Sequence, residues 1–476
     1  VENLAGAVFE VYAAEDIYTA DFQKDAEGNR ILEYSAGELV GTVTTDENGE
    51  AYLTDLPLGS YKIVETTAPE GFVLNGEAQT VTFTYKDQET PVIEQEAVFQ
   101  NERQKVEVSV VKKDAETQAT VEGAVFGLYA KEDFLAHGEV IVKADTLIGK
   151  ALSDENGKAV FMNDLPFGRY YIKEEAAPDG YISSDKVVEV TAEYQGQEIP
   201  VVELASEYEN EPTKISVKKT DLTTGVELEG AKLTVLDQDG NIVDSWTSVK
   251  GEEHLIERLT VGETYTLREE LAPYGYLKAE EITFTVEDTA EIQKVEMKDD
   301  VPEGTLIINK KGEFLEDVTL VDTIGGWISH IFEYITGALK DVTFEVYALE
   351  DIKAADGESE DYYKKDELIA TITTDETGIA KLSGLPLGKY YVKEKETAEG
   401  YVLDGEIREI DLTYVDQETA EVTWNGDWQN NRQKAEVSVL KKEKDTDRVL
   451  EGAVFALSEK RTLPIKTGMW FWKREP

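Results

Sequence analysis

The stretch TTDENGEAYLTDLPLGSYKIVETTAPEGF at 44–72 returns as SDENGKAVFMNDLPFGRYYIKEEAAPDGY at 153–181 and as TTDETGIAKLSGLPLGKYYVKEKETAEGY at 373–401. A shorter cousin, VGETYTLREELAPYGY, stands at 261–276. Each copy follows a second phrase: LAGAVFEVYAAEDI at 4–17, VEGAVFGLYAKEDF at 121–134 and DVTFEVYALEDI at 341–352, with LEGAVFAL at 450–457. Self-similarity at a fixed period marks a repeat architecture. Between the anchors, VEVSVV, YKIVE, QTVTFTY and KISVK alternate with period two and are rich in Val, Ile, Thr and Tyr. The breaks are Asp-x-Asn-Gly and Leu-Pro-x-Gly. Such short alternating runs between tight turns predict all-β sandwiches in tandem. The DENG segments read as hairpin turns, because the ligand spacing of a calcium loop is missing.

The phase of the repeat sets the expected boundaries. Residues 1–102 form a unit lacking its first strand, 103–212 and 213–301 are complete, 302–432 carries an insertion, and 433–476 begins a fifth unit. The joints NERQK, NEPTK and NNRQK are short and polar, which favours a stiff string over loosely tethered modules. In the insertion at 313–340, Leu320, Ile324, Trp327, Ile328, Ile331, Phe332 and Ile335 follow helical spacing and Asp322 could cap the start. A short amphipathic helix is therefore expected there.

Composition narrows the function. With 476 residues the chain has room for roughly three to five domains of ~100–150 residues. Ninety-nine acidic against 47 basic residues give a net charge of −52, which repels phosphate backbones and anionic membranes. There is no cysteine, so disulfides, thiolate metal sites and cysteine nucleophiles are excluded. Three unrelated histidines, His137, His254 and His330, offer neither a metal cluster nor a Ser/His/Asp triad. No cofactor and no metal are expected. No apolar run is long enough to span a bilayer.

Three polar positions recur inside the apolar pattern. Alternation puts Val108, Val110 and Lys112 on one strand face, Ile215, Val217 and Lys219 on another, and Leu306, Ile308 and Lys310 on a third; Lys441 is equivalent in the fifth unit. An inward lysine is costly unless neutral or bonded. A glutamate precedes each Ala-Pro-x-Gly-aromatic turn: Glu65, Glu174, Glu269 and, with the proline lost, Glu394. Asn101, Asn210 and Asn430 close the last strands. In the third full unit the position is acidic, Asp299 by its phase with Met297, with Asp300 as the alternative.

This ordered set resembles the CnaB/SpaA-type, or prealbumin-like, domains of Gram-positive surface adhesins and pilins, over nearly the whole chain. The resemblance implies that each lysine amine attacks the side-chain carbonyl of its Asn or Asp with the glutamate assisting, giving Lys112–Asn210, Lys219–Asp299 and Lys310–Asn430 isopeptide bonds. The first unit holds Glu65 and Asn101 without a lysine, and the fifth holds Lys441 alone. The expected function is a structural stalk on a bacterial cell surface with no external substrate. The alternative is an adhesin that binds a host protein or glycan through the loops at 15–38, 132–147 and 350–367 or through 313–340. The end, RTLPIKTGMWFWKREP, is similar to a sortase signal in Leu463, Pro464, Thr467 and Gly468, with one residue too many between proline and threonine. Wall attachment by sortase is the partner that this implies.

Overall fold

The computed structural model describes residues 3–19, 23–323 and 327–457. The chain divides into two compact units. The first runs to Ile215 and includes Ile256–Glu263 and Thr285–Gln293; the second starts at Ser216 and comprises the remainder.

Within the first unit, the module around 103–212 shows the architecture most fully. One sheet has the order Leu147–Leu152, Val125–Ala130, Gly168–Ala176, Val187–Ala192, all antiparallel. The other has Lys105–Asp114 at its centre, antiparallel to Lys158–Phe161 and parallel to Val201–Asn210. Val108, Val110, Phe126, Leu128, Tyr170, Ile172, Val202 and Tyr208 fill the space between the sheets. Period-two alternation aims these apolar side chains inward, and their burial supplies the main stabilisation. The same alternation carries Lys112 to that inner face, where it is fully buried.

The first module has a matching four-stranded sheet, Leu39–Thr44, Val8–Ala13, Gly59–Thr67 and Gln79–Phe83, over a small core of Val11, Ala13, Ile17 and Tyr61. Its residues 84–101 form no strand, and Val92 and Val98 are 67% and 62% exposed. In the third module, Ile242–Thr247, Lys232–Leu236, Thr264–Leu271 and Ile282–Thr285 build the four-stranded sheet, and Lys214–Asp221 lies centrally in the three-stranded one. The fourth module repeats the four-stranded order with Leu368–Thr373, Thr343–Ala348, Gly388–Glu396 and Arg408–Leu412.

The insertion at 313–340 corrects the sequence expectation: it is a β-ribbon, not a helix. The first strand of the fourth module does not stop after Lys310. It runs as Glu303–Thr323 and pairs antiparallel with Trp327–Ala338, in a register that sets Phe314 opposite Ile335 and Thr319 opposite Ile331. Two physical reasons override the helical spacing. The segment is dense in β-branched and aromatic residues, among them Val318, Thr319, Val321, Ile331, Phe332, Tyr334 and Thr336. It also continues a strand already in a ladder, so extension costs no new nucleus. The ribbon is not packed like an amphipathic helix on its own sandwich: Leu320 and Phe332 are 62% and 54% exposed, while Phe314 turns back against the core and Tyr401. The described residues contain no helix long and apolar enough to cross a membrane. The sortase-like residues Leu463, Pro464, Thr467 and Gly468 lie outside the described residues.

Candidate functional site: a buried lysine, glutamate and amide or aspartate in three modules

In the second and fourth modules the first and last strands run parallel and adjacent, and this creates the site. In the second module Lys112 is level with Tyr208 and Asp114 with Asn210. In the fourth, Lys310 is level with Trp428 and Gly312 with Asn430. The amide therefore lies two residues beyond the lysine's strand partner, on the same face. The four-carbon lysine stem spans that diagonal.

The glutamate comes from the opposite sheet, and a β-bulge aims it. Register slips by one residue directly after Glu174, which faces Phe126, while Ala176 already faces Val125. The same slip follows Glu65 opposite Phe9, Glu269 opposite Leu233 and Glu394 opposite Phe344. A bulge adds one residue to one strand and redirects the side chains beside it. Sequence reading missed this device, although the doubled polar or charged pair after each apolar run (Glu174-Glu175, Glu269-Glu270, Glu394-Lys395) is its trace.

In the fourth module the three groups meet closely. Lys310 Nζ donates to Asn430 Oδ1 at 2.6 Å and to Glu394 Oε2 at 2.8 Å. Asn430 Nδ2 donates to Glu394 Oε1 at 2.5 Å and to Thr397 Oγ1 at 2.6 Å. The lysine and glutamate side chains have no solvent exposure. Burial holds the Lys310 pKa below the usual lysine value, against the opposing pull of Glu394. Phe344 and Trp428 wall the pocket, 5.6 Å apart.

The second module is looser. Asn210 Nδ2 donates to Glu174 Oε1 and Oε2 at 2.9 and 2.7 Å and to the Ile182 carbonyl at 2.8 Å. Lys112 Nζ lies 3.6 Å from Glu174 Oε1. Lys112 Nζ and Asn210 Oδ1 are both buried without a hydrogen-bond partner. Burial lowers the Lys112 pKa to about 8, with Glu174 acting in the other direction.

In the third module Asp299 takes the amide's place. Lys219 Nζ donates to Asp299 Oδ1 and lies 3.0 Å from Glu269 Oε1. Burial raises the Asp299 pKa above that of an ordinary carboxylate, Lys219 opposes this and Glu269 adds to it. Asp299 is fully buried, whereas Asp300 is exposed and accepts only the amide of Val301 through its side chain. The geometry therefore brings Asp299, and not Asp300, to Lys219.

The first module holds two of the three groups. Asn101 Nδ2 donates to Glu65 Oε2 at 2.7 Å and to the Val73 carbonyl at 2.9 Å, and Glu65 Oε1 is buried without a partner. Lys441 is exposed, outside any strand, and is not brought to a glutamate or an amide. No group of His, Asp and Glu suited to a metal ion occurs among the described residues.

A further element escaped the sequence reading. Gln197 Oε1 accepts the Ala68 amide at 2.8 Å, its Nε2 donates to the Thr66 carbonyl at 3.2 Å, and Tyr194 OH donates to the Phe72 carbonyl at 3.4 Å. In the second unit Gln417 Oε1 accepts the Ala272 amide at 2.8 Å, and Tyr414 OH donates to the Tyr276 carbonyl at 3.0 Å. A Tyr-x-x-Gln segment of one module thus grips the Ala-Pro-x-Gly-aromatic turn of the module before it. The spacing recurs as Tyr85-Lys-Asp-Gln88, Tyr194-Gln-Gly-Gln197 and Tyr414-Val-Asp-Gln417, so the repeat did carry the signal.

Tandem all-β modules, with polar groups set on parallel first and last strands in the second and fourth, define a repeat protein built from prealbumin-like modules. The chain belongs to the SpaA prealbumin-like fold domain family, whose model matches residues 1–97, 106–204, 213–301 and 333–428. No curated protein gives a match. Among solved structures, the Bacillus anthracis TIE protein is 20% identical, with 90% of this chain and 70% of that one covered and a TM-score of 0.43. The major pilin subunit BcpA of Bacillus cereus is 15% identical, covered over 69% and 100%, with a TM-score of 0.33. The full-length major pilin SpaD of Corynebacterium diphtheriae is 14% identical, covered over 70% and 98%, with a TM-score of 0.29.

Proposed function

We propose that the chain is a load-bearing structural stalk of a Gram-positive cell surface, whose second, third and fourth modules each seal themselves with a Lys–Asn or Lys–Asp isopeptide bond. The observation that carries this reading is the fully buried triplet of Lys310, Glu394 and Asn430, in which the amine donates to both the acid and the amide carbonyl while the acid accepts from the amide nitrogen.

The chemistry balances within the pocket. The neutral lysine Nζ adds its lone pair to the Cγ of the asparagine, forming an Nζ–Cγ bond and an oxyanion. The glutamate carboxylate, which in the fourth module accepts from both Lys310 Nζ and Asn430 Nδ2, takes up the proton that the amine loses on attack and passes it to the departing nitrogen. The Cγ–Nδ2 bond breaks and ammonia leaves; in the Asp299 module water leaves instead. The apolar walls favour this by raising the neutral share of the amine, in line with the lowered pKa values of Lys112 and Lys310. Bonding also relieves a cost. Buried polar groups without partners, such as Lys112 Nζ and Asn210 Oδ1, each cost ~1–3 kcal/mol, and an amide replaces both.

The consequence is mechanical. A bond between first and last strands carries tension across a module without stretching the 80 residue steps from Lys219 to Asp299 or the 120 from Lys310 to Asn430. By analogy with disulfide loop closure, each link adds on the order of 4–5 kcal/mol. The grips at Gln197 and Gln417 stiffen the joints that the bonds do not cross. On this reading the protein lies outside the cell, turns over no external substrate and reaches the wall through sortase. Intact mass of the purified chain tests it: each Asn module should be about 17 Da light and the Asp module about 18 Da light, from the ammonia or water expelled in amide formation.

A second reading, an adhesin that contacts a host protein or glycan, draws support from the exposed apolar ribbon with Leu320, Ile331, Phe332 and Ile335. Binding of the full chain to immobilised host proteins and glycans, compared with a chain carrying Phe332→Ser and Ile335→Ser, separates the two. A stalk alone binds nothing that these substitutions abolish.

A further inference from the structure

We propose that Asp114 and Tyr181 form a clasp that positions the cross-linking groups of the second module, and that Asp221 and Tyr276 do so in the third. The inference rests on the cross-linking reading above. Neither pair touches the reacting atoms, so these are positioning residues.

Asp114 stands two residues beyond Lys112 on the same inward face and is buried. A buried carboxylate persists only when its oxygens are satisfied. Asp114 Oδ1 accepts the amides of Glu116 and Thr117, both at 2.8 Å, which fixes the turn after the lysine strand. Its Oδ2 accepts the Tyr181 hydroxyl at 2.9 Å and Arg258 Nη2 at 2.9 Å. The approach of Arg258 needs a bare backbone at Gly180, where a Cβ would come within 2.7 Å of the Arg258 carbonyl.

Tyr181 begins the segment that touches both other partners of the lysine. The Ile182 carbonyl accepts Asn210 Nδ2 at 2.8 Å, and the Ser184 amide donates to Glu174 Oε2 at 3.2 Å. The clasp thus ties the end of the lysine strand to the loop that orients the amide and the acid. Displacing that loop moves the acceptor and the proton carrier together, and such positioning errors are costly in rate.

The third module repeats the arrangement. Asp221 Oδ1 accepts the amides of Thr223 and Thr224 at 2.7 and 2.8 Å, and its Oδ2 accepts Tyr276 OH at 2.8 Å. The following loop donates the Ala279 amide to Glu269 Oε2 at 2.7 Å. The fourth module departs informatively. Gly312 replaces the aspartate, a Cβ there would lie 2.5 Å from the Tyr401 ring, and Tyr401 OH donates instead to the Glu313 carbonyl at 2.9 Å. The hydroxyl still anchors to the end of the first strand, but through backbone.

The test uses the full chain, recovered from inclusion bodies in denaturant and diluted into buffer, with bond formation followed by tryptic-peptide mass. Tyr181→Phe removes one hydroxyl and is expected to slow the Lys112–Asn210 bond roughly tenfold, equivalent to ~1.4 kcal/mol. The Lys310–Asn430 bond of the same molecule keeps its rate and serves as the internal control. Asp114→Asn, which preserves shape, is expected to act in the same direction and carries the test if Tyr181→Phe does not fold. A second readout follows geometry rather than stability. In a chain with Lys112→Ala, where this module cannot react, Tyr181→Phe should raise solvent exchange of the Asn210 side-chain amide in an asparagine-labelled sample. Unchanged closure in both variants overturns the clasp, as does slower closure with an unchanged Asn210 amide. Absence of every bond in the unsubstituted chain removes the cross-linking reading, and the clasp with it.

Discussion

Lys310 Nζ lies 2.6 Å from Asn430 Oδ1, although 120 residues separate them along the chain. The contact exists because Glu303–Thr323 and Glu421–Asn430 run parallel, with Lys310 level with Trp428. Parallel pairing of first and last strands places both ends of the module at one seam. A covalent link at this seam closes nearly the whole module into a single loop.

Removing either end of the link should show this directly. Asn430→Ala is expected to add back the missing mass of about 17 Da at that module and to destabilise it by on the order of 4–5 kcal/mol. Differential scanning calorimetry with intact mass on the same sample checks both. A mass change without a loss of stability contradicts the load-bearing role.

Glu394→Ala should leave Lys310 and Asn430 in place yet slow their joining by roughly 10²–10⁴-fold, the usual contribution of a positioned acid or base. Peptide mass spectra over time would detect linear Lys310 peptides in this variant when the other modules are already closed.

The pH dependence follows from the amine. Lys112 loses its proton with a pKa lowered to about 8, and only the neutral form attacks. Below about pH 8, closure of Lys112–Asn210 should therefore slow about tenfold per pH unit. The Lys219–Asp299 module differs in sign on one side. Its acceptor must be protonated to lose water, and the Asp299 pKa is raised by burial, so closure there also falls as pH rises and its optimum lies lower. Refolding at a series of pH values with mass readout distinguishes the two profiles; identical profiles contradict the assignment.

The joints offer a fourth check. Gln417→Ala deletes the acceptor for the Ala272 amide, worth ~1 kcal/mol as a net hydrogen bond. Hydrogen exchange at Ala272 should quicken by about fivefold, with the Met297 and Val295 amides unaffected. Protection that stays at the parent level would mean that the glutamine grips nothing in solution.

The helical reading of 313–340 shows where sequence periodicity loses its force. Residues 320, 331 and 335 satisfy a helical spacing, yet Thr319 pairs with Ile331 and Phe314 with Ile335 in a ribbon. Apolar residues spaced for a helix do not choose between helix and strand when β-branched neighbours abound and the preceding residues already form a strand.

The sequence by itself determined the all-β modules, their order, and the lysines, glutamates and terminal amides, because period-two alternation assigns each side chain to a face. It also placed Lys112 and Val110 together, and Asp299 in phase with Met297. Tertiary structure alone decided what those faces meet. The parallel register that levels Lys112 with Tyr208, the bulge that turns Glu174 inward, the clasp of Asp114 with Tyr181 and the grip of Gln197 on Ala68 all join residues far apart in the chain. Alternation within one strand says which way a side chain points, but only pairing between strands fixes its neighbour, since register is a long-range property.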